Sequence, residues 1–96
     1  VDETGRLALR VVVAGRVQGV GYREFVRRAA ARGGVTGWVR NRADGCVEAL
    51  VIGAAERVES LLREMRAGPP LAAVTDLRAQ AAEAEDASGF RVLRGG

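Results

Sequence analysis

The order in which apolar residues change their period constrains this chain more than any other feature. Leu7 to Ala14 is a nearly unbroken Val-rich run, the pattern of a buried strand. From Tyr22 the spacing widens. Tyr22, Phe25, Val26 and Ala29 stand at i, i+3, i+4 and i+7, one face of a helix, and Gly33-Gly34 stops it. Val35 to Arg42 and Cys46 to Ile52 read as two further strands, joined through the hairpin-turn chemistry of Ala43-Asp44-Gly45. Val58, Leu61, Leu62 and Met65 repeat the helical spacing until Gly68-Pro69-Pro70 ends it. Leu71 to Ala79 is a weaker strand, Glu83 to Asp86 an acidic loop, and Phe90 to Arg94 a short last strand. Residues 1–6 are polar and expected to be flexible.

The order β-α-β-β-α-β predicts an α+β fold of the ferredoxin-like kind. That fold is an antiparallel sheet with two helices on one face, here with a short extra C-terminal strand. Ninety-six residues accommodate one such domain, spanning 1–96, and no second. Strands one and two, joined by a crossover helix, run the same way, so their C-terminal ends share an edge of the sheet. The Gly15–Gly21 loop follows the first strand. Asn41 closes the second, on the same face as Val35 and Val39. Loop, helix start and Asn41 are therefore expected to converge. Trp38, Phe25 and Phe90 read as core residues, and Arg10, Arg40, Arg91 and Arg94 as solvated.

Missing residue types exclude much chemistry. Without histidine there is no Ser-His-Asp or Cys-His nucleophile and no His-containing metal site. Cys46 is the single cysteine, too few for a disulfide, a Cys-rich zinc site or an iron–sulfur site. All fifteen basic residues are arginine, which removes Schiff-base lysines and the P-loop lysine. What remains is carboxylate chemistry, or electrostatic catalysis by arginine and amides, with no cofactor and no metal. A net charge of +3 suits an anionic partner. No apolar run approaches the ~20 residues of a membrane helix, and no leader pattern opens the chain. A cytoplasmic monomer without membrane contact is expected.

Gly15-Arg16-Val17-Gln18-Gly19-Val20-Gly21-Tyr22-Arg23 is where chemistry concentrates. Three glycines in seven positions let successive N–H groups turn inward as an anion nest, and a helix starting at Tyr22 adds its free N–H groups and positive dipole end. By itself the pattern is also that of a plain strand–helix turn. It is neither a Walker A loop, since Tyr22-Arg23 follows the last glycine, nor the dinucleotide fingerprint, since position 24 is Glu. Arg23 sits in the first helical turn, where the dipole disfavours a cation by about 0.3–1 kcal/mol, and i,i+4 from Arg27. A bound phosphate would reverse both penalties; a carboxylate partner or solvation would equally house it. Asn41 reads either as a site residue or as a hydrogen-bonding residue before a hairpin turn.

The Gly15–Arg23 segment resembles the first signature of the acylphosphatase family. Gly37-Trp38-Val39-Arg40-Asn41, with Gly45, Val47 and Gly53 following, resembles its second. No functional position departs from either, and the resemblance extends over nearly the whole chain, although residues 71–96 match only in pattern. The resemblance implies metal-independent hydrolysis of acyl phosphates to a carboxylate and inorganic phosphate, with these small molecules as partners. It implies that Arg23 binds the phosphate and Asn41 holds the attacking water. The cradle would be the amides of Gln18, Gly19, Val20, Gly21 and Tyr22. Two other readings share the element order. One is an RNA-recognition-type module, which stacks bases on aromatics of its first and third strands; Leu7–Ala14 and Cys46–Ile52 contain none. The other is a catalytically idle regulatory domain of acylphosphatase type.

Overall fold

The computed structural model describes residues 2–94. Its elements run β1 (Arg6–Arg16), α1 (Tyr22–Gly33), β2 (Thr36–Asn41), β3 (Val47–Ala54), α2 (Ala55–Ala67), β4 (Ala73–Ala81) and β5 (Phe90–Val92). The five strands form one sheet in the order β4-β1-β3-β2-β5. β1 is antiparallel to both β3 and β4, and β2 is antiparallel to β3.

The four main strands are antiparallel as expected, and the short extra C-terminal strand β5 runs parallel to β2 at the edge. The cause is where β4 stops. Ala81 lies opposite Leu9, near the start of β1, so the chain crosses to the far edge at the end where β2 also begins. It must then run in the direction of β2.

Both helices cover one face. Val11, Val13, Val39, Val47, Ala49 and Val51 of the sheet join Val26, Ala29 and Ala30 of α1 and Val58, Leu61 and Met65 of α2 in a single buried cluster. Phe90 belongs to it and Phe25 packs partly buried against it. Trp38 does not, and its assignment to the core is corrected. It pairs with Leu50 on the uncovered face, as alternation from buried Val39 requires. Arg10 and Arg40 are not simply solvated either, since both ion-pair with Glu48 on that face.

Residues 2–6 form a turn. Asp2 Oδ1 accepts hydrogen bonds from the N–H groups of Thr4 at 2.9 Å and Arg6 at 3.0 Å. Val1, part of the segment expected to be flexible, lies outside the described residues. Gly37 fixes the sheet more deeply. At φ 135° a Cβ there would run into the Leu50 carbonyl of β3, so only glycine allows the two backbones to approach so closely.

Candidate active site

The loop between β1 and α1 is pinned through two valines. Val17 is fully buried and Val20 packs against the core. Gly19 and Gly21 between them take φ of 74° and 78°, a left-handed backbone that side chains rarely adopt. Gly21 caps α1 with no side-chain hydrogen bond. Among the described residues, no N–H from Gln18 to Glu24 donates to a protein group; the first to do so is Phe25, to the Gly21 carbonyl at 3.1 Å. The loop and the helix end thus present a run of unengaged donors, the electrostatic equivalent of a partial positive charge.

Tyr22 anchors this end of α1. Its ring is buried and its hydroxyl donates to the Met65 carbonyl in the last turn of α2, at 2.8 Å. Burial pushes the phenol pKa well above its usual value, so the hydroxyl stays a donor.

Arg23 follows, half-buried. The nearby carboxylate is committed elsewhere. Glu24 accepts from Arg27 at 2.7 and 2.6 Å and from Arg28 at 3.1 Å. The Arg27 hydrogen bond, reinforced by Arg28 against slight desolvation, holds the Glu24 carboxyl down at about 2. Arg23 makes no ion pair among the described residues. It lines a cleft of about 190 Å³ with Val17, Gly19, Gly21 and Val92.

Asn41 ends β2 opposite Val47. Its Oδ1 is buried, and no donor among the described residues reaches it. Asn41 does not line the Arg23 cleft. What brings it beside the loop is Gln18, whose Nε2 donates to the carbonyls of Arg42 at 2.8 Å and Cys46 at 3.0 Å. Those two residues are themselves joined, since the Arg42 N–H donates to the Cys46 carbonyl at 2.8 Å. The sequence reading gave Gln18 only a main-chain part. The available signal was an amide side chain in a glycine loop with no local partner.

The remaining reactive groups are quiet. Burial first, then the Asp44 charge, pushes the Cys46 thiol pKa up, which leaves it a poor nucleophile. No group of three His, Cys, Asp or Glu side chains suited to a metal ion occurs among the described residues. Among the described residues, no helix is long and apolar enough to cross a membrane.

An α+β sandwich with an amide-lined loop, an arginine unpaired among the described residues and an orphaned asparagine oxygen defines a structural class. Comparison narrows the class. A family model for acylphosphatases matches residues 9–92. The acylphosphatase of Acidiphilium cryptum is 52% identical over 84 residues, covering 88% of this chain and 92% of that protein. The acylphosphatase structures of Coxiella burnetii and Bacillus subtilis superpose with TM-scores of 0.90 and 0.88, both at 38% identity. The first covers 95% of this chain and 96% of its own, the second 91% and 98%. The chain belongs to the acylphosphatase family, enzymes that hydrolyse acyl phosphates.

Proposed function

We propose that this chain hydrolyses a small-molecule acyl phosphate without a metal, with Arg23 and the amides of Gln18, Gly19, Val20, Gly21 and Tyr22 holding the phosphoryl group and Asn41 positioning the water. The observation that carries this reading is a pairing of opposites. A row of donors without protein acceptors is tied, through the Gln18 side chain, to the strand end that carries a buried acceptor without a protein donor.

The chemistry needs little more. The acyl carboxylate is a good leaving group, so a loose transition state demands no strong acid. The guanidinium grips two phosphoryl oxygens at once, and the loop amides meet the third in an orientation fixed before reaction. Asn41 Oδ1 accepts a hydrogen bond from the water, which leaves a water lone pair free for phosphorus. The water oxygen bonds to phosphorus as the bond to the acyl oxygen breaks, and its electron pair departs with the carboxylate. The surplus water proton passes to a phosphoryl oxygen of the substrate. Glu24 is ionised but held by two arginines, so it is not the base. We read the chain as a single-domain monomer of the cytoplasm.

The test is hydrolysis of benzoyl phosphate in excess EDTA by wild type and Arg23→Gln. Turnover in the wild type, lost in the variant, supports the reading. No turnover in either would point to an idle regulatory domain.

A further inference from the structure

The uncovered face of the sheet carries a second set of arginines, unrelated to the loop. Cross-strand register places Glu48 of β3 between Arg40 of β2 and Val12 of β1, and Val12 beside Arg78 of β4. Glu48 is 3% exposed and accepts hydrogen bonds from Arg10 Nε and Arg40 Nη2. Burial pushes its carboxyl up, but the two guanidiniums outweigh that and hold it below the usual carboxylate value. One buried charge thus anchors two guanidiniums and neutralises only one of them.

Arg42 and Arg78 stand nearby, held by Asp44 at 2.8 Å and Asp76 at 2.9 Å. Solvent-exposed pairs of this kind contribute little to stability and exchange readily. Arg10, Arg42, Arg78 and Gln80 line a cleft of about 240 Å³. Arg10, Arg40 and Arg42, together with Asp44, line an adjoining one of about 410 Å³. Arg10 and Arg42 belong to both, so the two clefts form one arginine-walled track.

We propose that this face is a second anion site, separate from the Gly15–Arg23 loop, and that it takes a polyphosphate chain. Planar guanidiniums match phosphate oxygens two at a time. A single phosphate would compete with Asp44 and Asp76 one pair at a time. A chain of linked phosphates displaces both at once, since its second contact is intramolecular after the first. The anchored Arg10 and Arg40 have already lost much of their rotamer freedom to Glu48, which lowers the ordering cost of binding. Trp38 lies on the same face, between Leu50 and Arg91 in the register. A nucleoside triphosphate could therefore add base stacking to the same phosphate contacts.

The probe is inorganic tripolyphosphate, titrated calorimetrically into Arg23→Gln, in which the loop site is disabled. One equivalent is expected to bind, and the emission of Trp38, the only tryptophan, should shift. The double variant Arg42→Gln/Arg78→Gln leaves the Glu48 anchor intact and should bind about tenfold more weakly or worse. Arg78→Gln alone should weaken binding too, with acyl phosphate turnover unchanged. ATP binding tighter than tripolyphosphate would make a nucleotide the source; equal affinities would make it a free chain. Binding that vanishes in Arg23→Gln, survives in the double variant, or is matched by monophosphate would overturn the proposal.

Discussion

Gln18 Nε2 lies 2.8 Å from the carbonyl oxygen of Arg42, and this hydrogen bond joins the glycine loop to the strand end that carries Asn41. The two halves of the candidate site come from segments far apart in sequence, and this amide is their direct link. Gln18→Leu keeps much of the bulk but donates nothing, leaving the Arg42 carbonyl with only the Gly45 N–H and the Cys46 carbonyl with only the Arg42 N–H. We expect a stability loss of about 1–3 kcal/mol and a fall in kcat of about tenfold to a hundredfold from misplacement alone. Gln18→Glu should be worse, because a carboxylate facing two carbonyl oxygens repels them. Urea titration and steady-state kinetics read both quantities. A Gln18→Leu enzyme with wild-type kcat would show that the link does not align the site.

Arg23 and Asn41 should fail in different ways. Arg23→Lys replaces a two-pronged grip with a point charge, so phosphate affinity and turnover should fall together. Asn41→Ala should bind inorganic phosphate almost normally while kcat drops by about two orders of magnitude, the loss expected for a contact made in the transition state. Phosphate titration alongside turnover separates the two. Wild-type turnover in Asn41→Ala would remove it from the mechanism.

Tyr22→Phe tests the anchor beneath the loop. The change deletes the hydroxyl donated to the Met65 carbonyl and leaves the buried ring in place. We expect stability to fall by about 1 kcal/mol, with little change in kcat, since the hydroxyl points into α2. Chemical denaturation supplies the first number and initial rates the second.

Acid should weaken the fold through two glutamates. Glu24 is held at about 2 and Glu48 below its ordinary 4.5. Carboxyls depressed in the folded state stabilise it fully above their unfolded pKa and lose that contribution as pH falls through the folded one. For Glu24 the window runs from 4.5 down to about 2, with an effect small in size because the group is exposed and screened. Glu48 should dominate, being buried. Thermal midpoints between pH 6 and 2 should decline below about pH 4.5, with a shallower decline in Glu48→Gln. Identical slopes in the two proteins would count against this assignment.

The rate should respond to pH only through the substrate. Arginine stays protonated, asparagine and main-chain amides do not titrate, and Glu24 remains ionised throughout the neutral range. The enzyme's own contribution is therefore expected to be flat between about pH 5 and 8, and EDTA should change nothing. The check is a pH–rate series on two acyl phosphates of different phosphate pKa. A bell that stays fixed between them would reveal an ionising protein group.

The element order, the Asn41 face and the loop were legible because alternation and helical spacing report which side of an element is buried. Strand ends were less so: β3 runs on to Ala54 and β4 starts at Ala73, since ladder pairing, not composition, decides where a strand stops. The parallel edge strand was hidden because its direction follows from where β4 ends in space. Trp38 misled through its size. Parity with Val39 assigns it to the uncovered face, and that argument should have prevailed over its bulk. Glu48 was hidden for the opposite reason, as a charged residue at a buried position makes sense only once Arg10 and Arg40 arrive from neighbouring strands. The link from Gln18 needed three dimensions too, because its acceptors are main-chain carbonyls more than twenty residues away.

Gly37 touches neither the loop nor Asn41, yet its missing side chain determines how β2 can lie against Leu50. A larger residue would push the strand off that pairing, and the nearest escape is a slip of one position. Such a slip exchanges the faces of the strand, turning Asn41 out among the arginines and Arg40 in toward the helices. A survey of every substitution, scored on turnover alone, would then rank Gly37 beside the residues that meet the substrate. For this chain, a map of mutational intolerance would record strand alignment as faithfully as it records chemistry.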